Sequence, residues 1–213
     1  MKTNLPILYE DDDIIAVNKP AGVLSTELHF GVGYVHRLDR DTSGVLIFAK
    51  NQKAYNFLRK AFHDREVKKT YLAFVYGVPK EKKGIIDFDI GRSRKDFRLR
   101  SAQPKAKGRL RDALTHYEVI GEIPDYALLK VRPETGRTHQ IRVHLKAINH
   151  PIICDPLYAP KHTPALGITR LGLHASEIDL PLPPGTRVHI TAPAPTDLSS
   201  AFAKFINLIP RPI

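Results

Sequence analysis

The sequence has few of the features that mark secreted or membrane proteins. It contains 1 cysteine, Cys154, among 213 residues, which excludes an intrachain disulfide and any multi-cysteine metal site. Its longest apolar runs, such as residues 45–49, are far shorter than the ~18–20 residues of a membrane-spanning helix. The acidic run at residues 10–13 interrupts any apolar segment of the signal-peptide type. The sequence therefore predicts a cytoplasmic protein with one domain over residues 1–213.

Motifs for bound nucleotides and metals are also missing. Residues 31–33 read Gly-Val-Gly but lack the rest of a dinucleotide fingerprint, and no phosphate-loop motif occurs. His139 and His144 are five residues apart instead of the four of a metalloprotease helix, and no acidic ligand set accompanies them. The sequence therefore predicts no metal and no nucleotide cofactor.

Basic residues outnumber acidic ones. There are 33 Lys and Arg against 22 Asp and Glu, and the net charge is +11. Residues 92–111 hold nine basic residues and one acid, Asp96. Binding to phosphates releases counterions, so this imbalance favours a nucleic-acid partner, although a solubilising surface loop has the same composition. We expect residues 92–111 to form an exposed, mobile loop.

Hydrophobic periodicity predicts more strands than helices. Hairpins, instead of regular β-α-β alternation, join most of the strands, which indicates an α+β fold with a mixed, largely antiparallel sheet. Asn51 is expected to cap one helix and Thr138 another. The predicted strands cover residues 5–9, 14–18, 44–50, 69–76, 85–90, 113–120, 126–132, 171–180 and 187–191, and the last two helices cover 138–148 and 197–208.

Residues 36–44 concentrate charge directly before an apolar strand. Cations at Arg37 and Arg40 flank Asp39 and would keep a carboxylate ionised, as a nucleophile or base requires. The other interpretation is that Asp39 or Asp41 only caps a turn. Their i, i+2 spacing does not establish a glycosidase pair of carboxylates.

Two further segments have both a functional and a structural interpretation. Residues 136–142 lead into a helix, where Arg137 and Thr138 would suit an anion, or else the helix has only a solvated basic face. Tyr71 lies near the cationic start of a strand, beside Lys69, where its ring could stack on a base or pack in the core.

Four segments, in order along the chain, resemble motifs of the RluA-type pseudouridine synthases, which isomerise uridine within RNA. They are residues 18–22, 36–44, 69–71 and 136–142. Residues 150–158 and 173–175 extend the likeness, which covers about residues 5–195. Single motifs of this size arise by chance, but four in order are specific.

The resemblance implies a fold, an activity and residue roles. It implies a long, bent, mixed β-sheet with flanking helices and loops, and an RNA cleft across it. Asp39 matches the catalytic aspartate, Tyr71 the tyrosine that stacks on the target uracil, and Arg142 the arginine that pairs with the aspartate. The reaction needs no cofactor, and Asp39 either attacks C1′ or removes a ribose proton.

We also predict the partner and its contacts. The substrate is ribosomal or transfer RNA, bound by a monomer that lacks a separate N-terminal RNA-binding domain. The alternative is a non-catalytic RNA-binding or ribosome-assembly protein of the same fold. The side chains predicted to contact RNA are His36, Arg37, Arg40, Lys69, Arg98, Arg100, Arg137 and His139.

Overall fold

The computed structural model describes residues 5–93, 96, 99–102, 107–183 and 185–206. Its strands are β1 (Ile7–Glu10), β2 (Ile14–Lys19), β3 (Gly33–Tyr34), β4 (Ser43–Ala49), β5 (Lys68–Tyr76), β6 (Lys83–Asp87), β7 (Ile90–Arg92), β8 (Arg100–Ala102), β9 (Lys107–Arg111), β10 (Leu114–Ile123), β11 (Tyr126–Pro133), β12 (Leu173–Leu182) and β13 (Thr186–Thr191). Its helices are α1 (Gln52–His63), α2 (Gln140–Ala147) and α3 (Thr196–Ile206), with a 3₁₀ turn at Ser25–Glu27. No helix within these described ranges is long and apolar enough to cross a membrane.

The chain divides into two compact units. Unit 1 comprises Met1–Thr70 and His174–Ala194, and unit 2 comprises Tyr71–Leu173 and Pro195–Ile213. The division falls within β5 and after the first residue of β12.

Unit 1 is built on strands that pair in the order β1, β2, β4, β12 and β13. The β4–β12 pair is parallel and the others are antiparallel, including the short β3, which pairs with β4. Gly44 has a φ of +119°, and a Cβ at this position would lie 2.1 Å from the carbonyl oxygen of Ala175. The parallel pair therefore requires glycine there. As predicted, Asn51 caps α1, since its side chain accepts a hydrogen bond from the backbone N–H of Ala54.

Unit 2 contains an antiparallel sheet in the order β5, β11, β10 and β6. Its core includes Val75, Leu129 and Val131 from the strands and Leu145 from α2, all fully buried. A separate three-stranded antiparallel sheet has the order β8, β7 and β9. The predicted α+β class with mixed, largely antiparallel strands is confirmed.

The structure of the basic segment, residues 92–111, differs from the predicted loop. Instead of one loop, its described residues include β8 and β9, which pair with β7, and the single strand predicted at residues 85–90 is divided between β6 and β7. Ile90 and Ala102 from this small sheet pack with Val143 of α2 and with Tyr158. These apolar contacts come from distant parts of the sequence, so the local excess of charge did not reveal them. Arg98 lies outside the described residues.

The start of α2 also corrects a prediction. The residue before the helix is His139 in a left-handed conformation with a φ of 58°, and Thr138 does not cap it. Instead, the side-chain oxygen of Gln140 accepts a hydrogen bond from the backbone N–H of Arg137 at 2.9 Å. Burial extends around most of α2, so Arg142, with 4% exposure, does not lie on a solvated basic face.

Candidate active site

Asp39 lies on a turn in unit 1 that leads directly into β4. Its carbonyl accepts a hydrogen bond from the backbone N–H of Thr42 at 3.1 Å, which closes the turn. The residue is half-buried, whereas Arg37 and Arg40 on either side of it are exposed. The turn therefore presents a carboxylate between two accessible cations.

Lys19 organises the segment that contains this turn. Its ammonium group has no solvent exposure and donates hydrogen bonds to the carbonyl oxygens of Pro20 (2.8 Å), Val23 (2.8 Å) and Arg40 (3.0 Å). An ammonium group has three N–H donors, which match three carbonyl acceptors. Lys19 thereby fixes the residue that follows Asp39.

Two further contacts hold the same turn. The hydroxyl of Ser25 accepts from the N–H of Leu38 at 3.1 Å and donates to the carbonyl of Leu38 at 3.0 Å. The backbone N–H of Gly22 bonds the carbonyl of Arg40 at 2.9 Å, and Arg40 Nε returns a bond to the carbonyl of Gly22 at 3.0 Å. Residues on both sides of Asp39 are thus anchored to the segment around residues 19–25.

His36 is a neutral, structural side chain in this arrangement. Its Nε2 accepts a hydrogen bond from the backbone N–H of Ile47 at 3.1 Å, and its ring stacks on Phe62. Burial, helped by the positive charge of Lys69, lowers the pKa of His36 to about 3. His36 therefore supplies no positive charge for RNA at neutral pH, and its contact with RNA stays a prediction.

Lys69 is half-buried at the start of β5. Burial lowers the pKa of its ammonium group to about 8. Lys69 is therefore still mainly protonated at pH 7, as an RNA contact requires.

A buried Ser–His pair supports the strand that follows the turn. Ser43 Oγ lies 3.0 Å from His174 Nδ1, and His174 Nε2 lies 3.3 Å from the carbonyl oxygen of Ala192. Because a carbonyl only accepts, Nε2 carries the proton and Nδ1 accepts from the serine hydroxyl. This link ties the first residue of β4 to β12.

In unit 2, Tyr71 is a half-buried residue of β5 opposite Val131 of β11. It packs against the cluster that contains Val131, Ile141 and Leu145. Its ring is therefore held by the core on one side while part of its surface stays accessible.

Arg142 is a buried cation with a carboxylate partner. Its Nε and Nη2 donate to Asp155 Oδ2 and Oδ1, both at 2.8 Å, and Asp155 has no solvent exposure. The guanidinium carbon also lies 5.2 Å from the ring centroid of Tyr158. This is a bidentate ion pair capped by an aromatic face.

Tyr158 also contacts two segments that the sequence assigned to RNA binding. Its hydroxyl accepts from the backbone N–H of Arg100 at 2.9 Å and lies 3.1 Å from His139 Nδ1. Arg137, by contrast, forms an ion pair with Asp112, with Nη2 and Oδ1 2.7 Å apart. Unit 2 thus brings His139, Arg142 and the backbone of Arg100 together around Tyr158.

Comparisons with known proteins identify the family. A family model described as RNA pseudouridylate synthase matches residues 13–147. An uncharacterized RNA pseudouridine synthase of Mycobacterium bovis is 40% identical over 92% of this chain and 71% of that protein. The dual-specificity RNA pseudouridine synthase RluA of Vibrio cholerae is 36% identical over 82% of this chain and 76% of its own length. The chain belongs to the RluA-type RNA pseudouridine synthases.

A solved structure supports this assignment for the three-dimensional fold. Human RNA pseudouridylate synthase domain containing 1 is 28% identical and has a TM-score of 0.80, over 92% of this chain and 86% of that one. The protein is therefore an isomerase that converts uridine in RNA to pseudouridine.

The family motifs of this pseudouridine synthase also contain residues to which sequence analysis assigned no role. Lys19, Asp155 and Tyr158 all lie within segments that resemble family motifs, yet none was assigned a role. The available signal was their position in those motifs. Their contacts became visible only with the structure, since Lys19 reaches Arg40, and Asp155 reaches Arg142, across long sequence separations.

Proposed function

We propose that Asp39 is the catalytic carboxylate of this pseudouridine synthase, that Tyr71 stacks on the target uracil, and that Arg142 is the third catalytic residue. These roles rest on the match to the family motifs. The observation that carries the proposal is the fixed turn, in which Lys19 and Ser25 immobilise the backbone on both sides of a half-buried carboxylate. Such preorganisation is what a group that must meet one atom of its substrate requires.

The reaction rearranges bonds within one nucleoside. The N1–C1′ bond of uridine breaks, the uracil turns, a C5–C1′ bond forms, and the hydrogen on C5 leaves as a proton while N1 gains one. Asp39 either attacks C1′ as a nucleophile or removes a ribose proton, and both routes need its ionised form. No atom is gained or lost overall.

The RNA backbone contacts follow from the accessible cations. Arg37 and Arg40 are exposed beside Asp39, and Lys69 is half-buried in the same unit. Extruding the target from its stack costs a few kcal/mol, which stacking on Tyr71 and phosphate contacts can offset. We propose ribosomal RNA, transfer RNA or both as the substrate, a cytoplasmic location and a monomeric enzyme without a nucleotide cofactor.

The decisive experiment is Asp39→Asn, which keeps the shape of the side chain but removes its charge. Transcripts of large-subunit ribosomal RNA and of transfer RNAs, tritiated at uridine C5, release tritium when pseudouridine forms. We expect the single-turnover rate to fall by about 1000-fold or more while RNA binding persists.

Asp41→Asn is the matched control, because Asp41 lies two residues away in the same turn. It should retain the wild-type rate. If Asp41→Asn is inactive and Asp39→Asn is not, the catalytic assignment is wrong by two residues. If the wild-type protein releases no tritium from any of these transcripts, the proposed RNA substrates are wrong.

A further inference from the structure

We propose that Asp155 and Tyr158 are positioning residues that set the direction of the Arg142 guanidinium for the isomerisation. This inference rests on the catalytic role proposed for Arg142. Its starting point is the bidentate pair, in which Nε and Nη2 of Arg142 each lie 2.8 Å from a separate oxygen of Asp155. Two parallel hydrogen bonds fix the plane of a guanidinium group, and with it the directions of its other three N–H donors.

The carboxylate of Asp155 is itself held in place. Its Oδ1 also accepts hydrogen bonds from the backbone N–H groups of Leu157 at 2.9 Å and Tyr158 at 3.0 Å. The backbone N–H of Asp155 bonds the carbonyl of Ile152 at 3.2 Å. The local backbone thus orients the carboxylate independently of Arg142.

Tyr158 supports the guanidinium from a second direction. Its ring centroid lies 5.2 Å from the guanidinium carbon of Arg142, and the tyrosine is 6% exposed. The hydroxyl is tied to the backbone of Arg100 and to the ring of His139. A carboxylate in the guanidinium plane and an aromatic ring against it leave the group little rotational freedom.

Stability alone is a weak reason for such an arrangement. Removing both charges from water costs about as much as their attraction returns, so an apolar replacement for a buried ion pair is often equally stable. Asp155 also offsets the positive charge of Arg142, which makes this arginine a poorer phosphate contact than the exposed Arg37 and a better directional donor. The geometry therefore favours a positioning role.

A double-mutant cycle tests whether Asp155 acts through Arg142. The variants are Asp155→Asn, Arg142→Met and their combination, measured by single-turnover tritium release at saturating C5-tritiated RNA and by RNA dissociation constants. We expect each single variant to lose about 10-fold or more in rate, with affinity changed by less than about 3-fold, and the double variant to match Arg142→Met. Rate losses that multiply in the double variant would show that Asp155 acts independently, and would overturn the inference.

The matched control is Asp197→Asn. Asp197 forms a bidentate pair with Arg170 in unit 2, at 2.7 and 2.8 Å, but at the surface, and it has no proposed part in the reaction. Its rate should stay within about 2-fold of wild type, and a loss equal to that of Asp155→Asn would indicate a general loss of structure.

A nuclear magnetic resonance measurement separates this inference from the proposed function. The Nε–H signal of Arg142 should exchange slowly with water in the wild type and rapidly in Asp155→Asn, whether or not a given RNA reacts. An unchanged signal would overturn the positioning role, whereas a wild-type protein without tritium release would overturn the proposed function. If Asp155→Asn does not fold, Asp155→Glu keeps the charge but moves the carboxylate, and a normal rate in that variant would contradict the inference.

Discussion

Two buried cations, one in each unit, are accommodated by different chemistry. In unit 1, the ammonium group of Lys19 donates to three backbone carbonyl groups. In unit 2, the guanidinium group of Arg142 meets the two oxygens of Asp155 and the ring of Tyr158. The compact, rotatable lysine head suits acceptors that converge from several directions, whereas the planar arginine suits a flat carboxylate.

The two sets of contacts indicate different roles for Lys19 and Arg142. Lys19 connects backbone segments that are distant in sequence, so its contacts define the shape of the turn beside Asp39. Arg142 connects side chains, so its contacts define the orientation of its own head group. We therefore expect changes at Lys19 to affect stability first, and changes around Arg142 to affect the reaction first.

The largest effect is expected from Lys19→Met. The variant keeps the apolar part of the side chain but deprives the carbonyls of Pro20, Val23 and Arg40 of a buried donor. Unsatisfied buried acceptors are costly, so the free energy of unfolding should fall by about 3 kcal/mol or more. Urea unfolding at pH 7 measures this loss.

A second lysine of unit 1 provides the comparison for that variant. Lys50 also donates to a backbone carbonyl, that of Asp11, and pairs with Glu10, but it remains 33% exposed. Lys50→Met should cost no more than about 1 kcal/mol. Equal losses for both variants would contradict the central structural role given to Lys19.

Sequence reasoning succeeded where the signal was local. Asn51 was recognised as a cap because its acceptor serves an N–H only three residues away, at Ala54. The α+β class followed in the same way from the spacing of apolar residues and hairpin turns. The match to family motifs located the segment around Asp39 without any knowledge of its contacts.

The features that sequence reasoning missed depend on distant partners. Lysine is ordinarily a surface residue, and no residue near Lys19 in the sequence indicates its hydrogen bond to the carbonyl of Arg40. Residues 92–111 were predicted as a loop because their charge is local, whereas the contacts of Ala102 with Val143 and Tyr158 are not. The pairing of Arg142 with Asp155 likewise joins α2 to a segment beyond it.

A smaller effect concerns the acid side of the stability profile. The pKa of His36 is lowered to about 3 in the folded protein, so the unfolded chain takes up a proton below pH 6.5 that the folded protein does not. Stability should therefore fall as the pH drops from 6.5 towards 3. His36→Phe should remove about 2–3 kcal/mol of this fall between pH 7 and 4.5, measured by urea unfolding at both values.

The control for this pH dependence is His29→Phe, at an exposed histidine of the same unit. It should leave the difference between the two pH values unchanged. At pH 7 itself, His36→Phe should be less stable than wild type, because the N–H of Ile47 loses its acceptor. If His36→Phe lost as much stability between pH 7 and 4.5 as the wild type does, the neutral His36 ring would not be the cause of the acid destabilisation.

The smallest effect on stability is expected for cations that point outwards. Arg92, Arg109 and Arg111 are exposed on the small sheet of unit 2, in contrast to the buried Arg142. Replacing all three by Gln should change the free energy of unfolding by less than about 0.5 kcal/mol. If they contact phosphates, RNA affinity should fall and its dependence on log salt should flatten by about 2–3 units.

A control variant that loses the same three charges on another surface tests whether the position of the cations matters for RNA binding. Lys53, Arg59 and Lys60 are exposed on α1 in unit 1, and replacing them by Gln removes the same three charges. A general electrostatic attraction would weaken equally in both triple variants, because it depends only on net charge. If the small sheet binds phosphates, only the Arg92, Arg109 and Arg111 variant should show a flattened dependence of RNA affinity on log salt. Its single-turnover rate at saturating RNA should be unchanged. Equal slopes of RNA affinity against log salt in the two variants would indicate that the basic segment contributes to solubility and not to phosphate binding. The cations beside Asp39 would then be the ones that recognise RNA.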